Sequence, residues 1–225
     1  EYHDLIITKY NSYTAAFVNA EETEYLIIED SFPNGRPKLE AAGILFADRE
    51  TVDRTEKMKV GTCLNPLHTA LAVFGCLLGY TTIHDEMEDE LLRKMVYRLG
   101  YKEGMPVVVD PGIIKPEQFL EDVLTKRLPN PFMPDAPQRI ATDTSQKIPV
   151  RFGQTLKAYQ ESANLDLNSL VVIPLVFAGW LRYLTGINDK GEKFDLSSDP
   201  RLDELTKYLA DIKLGYERQD LSVVD

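Results

Sequence analysis

At 225 residues the chain is long enough for one large domain or two small ones, and a domain of this size buries roughly 70% of its unfolded surface without disulfides or metals. Its 44% hydrophobic and 27% charged residues are ordinary for a globular protein, and no uninterrupted apolar run reaches the roughly 18–20 residues that span a bilayer. A formal net charge of −11 argues against nucleic acid and against an anionic membrane surface, while a small anionic ligand can still bind where a site is locally basic.

In chain order, Leu5-Ile6-Ile7 and Tyr25-Leu26-Ile27-Ile28 are short apolar runs that read as strands or as buried turns of helix. Pro33 to Pro37 is a turn signal. The clearest helix starts at Asn65-Pro66, an N-cap followed by a proline, with Leu67, Leu71, Phe74 and Leu78 at helical spacing and Gly79 as C-cap. The face carrying His68, Ala72, Gly75 and Gly79 is small apart from the histidine and invites close approach by another element. A charged amphipathic helix follows over 85–99, then an extended segment from Met105 to Asp110, closed by the Pro111-Gly112 turn. Further helices are expected over 116–127, around 149–162, over 167–185 as a buried core helix, and over 200–214, with a proline-rich bend from Pro129 to Pro137. The count is six or seven helices and few strands, a mainly α, multi-helical fold with one core.

Several chemistries have no motif here. No two glycines form a GxG pair, so the dinucleotide fingerprint GxGxxG is missing, and there is neither a P-loop nor a GxSxG elbow. His3, His68 and His84 lack the spacing of a metal site. Cys63 and Cys76 form no CxxC and read as buried thiols of a reducing compartment. The chain opens at Glu1 without a signal-peptide pattern, so the expectation is a cytoplasmic protein, met here as a fragment or with a trimmed N-terminus.

Reactive side chains concentrate at Glu56, Lys59, Asn65 and His68, across what reads as a loop and a helix start. A lysine whose pKa is lowered can act as general base, and an asparagine amide and a neutral imidazole can donate to a developing alkoxide. The same residues also read as a surface ion pair, a helix cap and a core histidine. A second cluster, Arg139 to Lys147, reads as a loop with two cations and three hydroxyls, suited to a polyhydroxylated or carboxylated ligand or simply to solvent.

Taken together, Ile27 to Phe32 with Gly35-Arg36-Pro37, Glu56 to Lys59, Leu64 to Ala72, Arg127 to Pro131, Arg139 to Lys147 and Gly179 to Leu184 resemble the C-terminal domain of the mannitol dehydrogenase family, in the same order over residues 24–215. The resemblance is strongest to the fructuronate reductase branch. It implies a multi-helical substrate domain like the C-terminal domain of 6-phosphogluconate dehydrogenase, occupying 1–225. Residues 1–23 would be the end of, or linker from, a nucleotide-binding Rossmann domain that this chain lacks. The implied reaction passes a hydride between NAD and a linear sugar acid or polyol without a metal, with NAD bound by the other domain.

By the same resemblance Lys59 is the general acid/base, with Lys57 as the fallback. Asn65 and His68 hold the reacting oxygen, Glu56 gates proton exchange with solvent, and Arg139 and Lys147 reach the rest of the substrate. The step from Lys59 to Asn65 is one residue longer than in the family pattern, and a one-residue bulge would restore the geometry. D-fructuronate to D-mannonate is the leading substrate pair, ahead of mannitol to fructose and tagaturonate to altronate. The reading of another class is a free-standing helical module that binds a sugar acid or dimerises.

Overall fold

The computed structural model describes residues 26–210 and 212, together with the backbone of two short strands before them. The remainder of the expected 1–23 linker and His3 lie outside the described residues. Two compact units divide the chain, residues 1–48 and 49–225.

In the first unit β1 (Leu5–Ile7) pairs antiparallel with β2 (Tyr13–Ala15), and β3 (Ile27–Glu29) pairs parallel with β4 (Leu45–Ala47). Between β3 and β4 the guanidinium of Arg36 grips Asp30 through Nε at 2.8 Å and Glu40 through Nη2 at 2.8 Å, and it stacks 3.3 Å from the centroid of Phe46. This arrangement ties the turn at Pro33 to Pro37 back to the strands.

The second unit is helical among the described residues. α1 (Arg49–Met58) leads through a π turn, Lys59–Cys63, into α2 (Asn65–Leu78). Then come α3 (Ile83–Glu88), α4 (Glu90–Arg98), α5 (Pro116–Asp122), α6 (Pro137–Ile140), α7 (Thr144–Glu161), α8 (Val172–Tyr183) and α9 (Leu202–Tyr208). Further π turns extend α4 over Leu99–Gly104 and α5 over Val123–Arg127. The stretch Arg49–Leu78 is long and apolar enough by length and composition to cross a bilayer, but 72% of its apolar window is buried inside this unit, as a core helix requires.

α2 is the centre of the core. Leu67, Ala70, Leu71 and Val73 are fully buried, and the helix packs against α6, α7 and α8. Close approach happens where glycine allows it. A Cβ at Gly75 would lie 2.3 Å from the Glu86 carboxyl and 2.7 Å from Pro137, and one at Gly179 of α8 would lie 2.8 Å from the Phe74 ring. Gly79 ends α2 in the left-handed region at φ 82°, as expected of a C-cap.

The structure corrects several expectations. α1 is a helix where a loop was expected, because its sequence is polar with only Thr55 and Met58 buried, and it leaves no apolar periodicity to read. Leu64, at φ −130°, precedes the first turn of α2, and its carbonyl accepts the His68 N–H at 3.0 Å, so Asn65 is the first helical residue rather than the cap. The 85–99 helix is two helices, split where the Asp89 carboxylate caps α4 by accepting from Leu91 and Leu92. Met105–Val107 is a 3-10 turn before the extended segment. α7 starts at Thr144, ahead of Pro149, and so carries Lys147 within the helix, while Arg139 sits on α6 rather than in a loop. α8 starts only at Val172, and Leu175 on its outer face is half exposed, so it is not buried all round. α9 closes at Tyr208, and the end of the helix expected to Leu214 falls outside the described residues.

Candidate active site

α2 presents Asn65 and His68 from its first turn, and the π turn before it presents Lys59. A π turn holds one more residue than an α turn, with an i→i+5 hydrogen bond, here from Leu64 N–H to the Lys59 carbonyl at 3.1 Å. This π turn lies in the step from Lys59 to Asn65.

His68 lies in a nearly closed network, with its side chain 12% exposed. Its Nε2 is 3.1 Å from Asp135 Oδ2 and 3.3 Å from Arg127 Nη1. Arg127 Nη1 also donates to Asp135 Oδ2 at 3.1 Å, and Arg139 Nη2 donates to Asp135 Oδ1. The hydrogen bond from His68, with Arg127 beside it, outweighs burial and holds the Asp135 carboxyl well below the usual range, so it is ionised. Burial lowers the His68 pKa, and the charges of Arg127 and Arg151 push the same way against Asp135, so the imidazole is neutral at pH 7.

Arg151 approaches from α7. Its Nη1 donates to Thr69 Oγ1 at 2.6 Å and to the Asn65 carbonyl at 3.4 Å, and burial pushes its pKa down to about 10, so it remains charged. The Asn65 side-chain amide has no hydrogen-bond partner among the described residues. Lys147 Nζ donates to the Ile140 carbonyl at 2.8 Å and to that of Thr142, closing the α6–α7 corner. Burial lowers the pKa of Lys147, with Arg151 and Arg139 adding repulsion. At the corner Asp143 adopts φ 56°, which aspartate tolerates better than most residues.

Asn65, His68, Arg139 and Lys147 therefore belong to one neighbourhood in which four cations, Arg127, Arg139, Lys147 and Arg151, stand near the carboxylates of Asp135, Asp143 and Asp199. It is locally basic on a chain of net charge −11. Glu56 and Lys57 instead line a groove of about 280 Å³ between α1 and α7, with Asp53, Val60, Gly61, Val150 and Gln154. Arg151 follows Val150 along α7, so the groove and the cationic neighbourhood share that helix.

Sequence reasoning passed over Asp135, Arg127 and Arg151. Arg127 stood in one of the quoted segments without a role, and a carboxylate inside a proline-rich bend was the available sign for Asp135. Among the described residues no cluster of His, Cys, Asp and Glu could hold a metal ion.

Residues 51–218 match the family described as the mannitol dehydrogenase C-terminal domain. The chain is 59% identical over 214 residues to a D-mannonate oxidoreductase of Thermotoga maritima, covering 94% of this chain and 40% of that protein. It is 33% identical over 181 residues to a mannitol 2-dehydrogenase of Neosartorya fischeri, covering 80% of this chain and 34% of that one. Among solved structures it is similar to the Pseudomonas fluorescens mannitol 2-dehydrogenase ternary complex with NAD and D-mannitol, at TM-score 0.68 and 29% identity over 82% of this chain and 36% of that one. The chain thus spans well under half the length of these relatives.

Proposed function

The chain belongs to the mannitol dehydrogenase family, as its C-terminal domain, and on that premise we propose that it is the substrate-binding half of an NAD-dependent oxidoreductase that interconverts D-fructuronate and D-mannonate. The observation that carries the substrate class is the 59% identity to a D-mannonate oxidoreductase. The cations around Asp135 support it, because Arg139, whose side chain is 64% exposed beside its Asp135 contact, keeps donors that the carboxylate of a sugar acid can meet.

In this reading the dinucleotide site lies outside this chain. No GxG pair occurs in the sequence, so a pyrophosphate has no glycine turn to approach. NAD, which supplies or takes the hydride, belongs in this reading to the part of the protein outside the chain. Within the chain, Lys59 takes the hydroxyl proton on oxidation and returns it on reduction. The unpartnered amide of Asn65 steadies the oxygen at which charge develops. Glu56, on the open groove, passes the lysine proton to water.

The test is NADH oxidation by the full-length protein with D-fructuronate, D-tagaturonate and D-fructose in parallel. Turnover with D-fructuronate alone is expected. Turnover with fructose alone moves the protein to the polyol reading, which the likeness to mannitol 2-dehydrogenases favours. In the same protein Lys59→Ala should lower kcat by about 10²–10⁴-fold, the usual range for a general acid/base. Lys57→Ala should change it little, and the reverse pattern would transfer the role to Lys57.

A further inference from the structure

We propose that Asp135, held by Arg127 and Arg139, is a positioning residue that fixes the His68 ring with its one proton on Nε2, so that Nδ1 meets the substrate as a hydrogen-bond acceptor. This rests on the reaction proposed above together with the family resemblance, which sets His68 against the substrate.

The argument is a donor–acceptor count. Nε2 of His68, Nη1 of Arg127 and Oδ2 of Asp135 form a triangle with sides of 3.1, 3.1 and 3.3 Å. Arg127 has only donors, and an ionised carboxylate has only acceptors. If Nε2 carries its hydrogen, Oδ2 faces two donors at 3.1 Å, Nε2–H and Arg127 Nη1, and only the longer side, along which Arg127 Nη1 approaches Nε2 at 3.3 Å, sets donor against donor. If Nε2 is bare, its lone pair faces an anionic oxygen at 3.1 Å, and that repulsion opposes whatever Arg127 donates to it. The Nε2–H arrangement sets no lone pair of the ring against the carboxylate. The second carboxylate oxygen is bound to Arg139, so Asp135 cannot turn away without leaving that cation. Both Asp135 and Arg127 are nearly buried, with side chains 8% and 9% exposed, which keeps water from substituting for either.

A neutral imidazole has one N–H, and here it points at Asp135. Nδ1, which has no hydrogen-bond partner among the described residues, is left with a lone pair. The sequence alone suggested an imidazole that donates to the developing alkoxide, and this geometry gives it the opposite polarity. The reacting hydroxyl has one hydrogen, which goes to Lys59 in the proposed reaction. The partner of Nδ1 is therefore a neighbouring hydroxyl of the substrate, and His68 selects for a hydroxyl beside the reacting carbon.

The decisive measurement is two-bond ¹H–¹⁵N correlation on the chain labelled at its three histidines, with His68→Gln to assign the signal. At pH 7 the expected pattern is the neutral Nε2–H tautomer. An Nδ1–H tautomer or an imidazolium overturns the proposal, whatever the activity assays show. Asp135→Asn, whose amide can turn an N–H toward the ring, should move the proton to Nδ1. In the full-length enzyme it should lower kcat/KM by roughly 10²-fold, the order seen when a buried partner of a working imidazole is changed. An unchanged tautomer in a folded Asp135→Asn protein also overturns it. If none of the three sugars turns over while the Nε2–H signal stands, the substrate reading fails and the tautomer assignment survives.

Discussion

Glu86 places a carboxyl against the backbone of Gly75 and the ring of Pro137, fully buried, and neither oxygen has a hydrogen-bond partner among the described residues. Burial, with Asp85 adding repulsion, pushes its pKa up from 4.5 to about 9. The folded chain then keeps a proton that the unfolded chain gives up above its ordinary pKa. Stability from this residue is fully present below about pH 4.5 and is lost progressively as the pH rises toward 9. Glu86→Gln, which cannot ionise, should hold on the order of 5 kcal/mol more stability than the natural chain at pH 8 and about the same at pH 4. Urea midpoints at the two pH values check this, and parallel pH slopes for both proteins would refute it. At this scale the sequence exposed residues by type but not by partner. Cys63 and Cys76 read as inert from their spacing, and the structure buries both, with pKa values pushed up to about 12. Asn65 and His68 could be singled out because they share the start of one helix. Asp135 and Arg127 could not be tied to His68, because the Arg127 contact spans 59 residues and nothing local records it.

Among the helices, α8 shows how a distant side chain can decide a boundary. Its first N–H groups have no cap on their own segment, and the buried carboxylate of Glu103 takes that role. Oε1 accepts from Val171 at 3.0 Å and Val172 at 2.8 Å, and Oε2 accepts from Ile173 at 2.9 Å. A charged acceptor at a helix N-terminus also meets the positive end of the helix dipole. Glu103→Ala would leave these donors buried without partners and should cost about 3 kcal/mol, with Glu103→Gln costing less because its carbonyl oxygen can still accept. Chemical denaturation reads both, and equal costs would mean that a neutral acceptor cannot replace any of what the charged carboxylate contributes. The expected start of this helix at Leu167 was too early because apolar residues continue through a 3-10 turn at Leu167–Ser169, which periodicity does not distinguish from a helix. Pro149 misled in the other direction. Proline usually marks a first turn, so the α7 start was placed near it, whereas the structure carries it inside the helix. The π turn at Lys59–Cys63 left no sign in the residue pattern, because Lys59, Val60, Gly61, Thr62 and Cys63 carry no periodicity that separates a π turn from a loop.

For the whole molecule, the mainly helical architecture was legible because α2, α5 and α7 carry long amphipathic or proline-marked signals, while the small parallel pair of β3 and β4 was left undecided between strand and helix. The proposed reaction needs in addition the partner of its substrate, the nicotinamide. This chain covers 40% of the Thermotoga relative and 36% of the NAD-bound solved structure, so most of each relative has no counterpart in it. The cationic neighbourhood around Asp135 could attract a phosphate, but all four of its members are already engaged: Lys147 on two backbone carbonyls, Arg127 and Arg139 on Asp135, and Arg151 on Thr69. Attraction without a glycine turn or an adenine pocket gives weak, salt-sensitive binding at best. The 225-residue chain should therefore show no NADH binding at micromolar concentrations by fluorescence or calorimetry, whereas the full-length protein should bind it. Micromolar binding by the chain alone would mean that a nucleotide site has been built from residues that carry no such motif, and the division of labour proposed here would have to be redrawn.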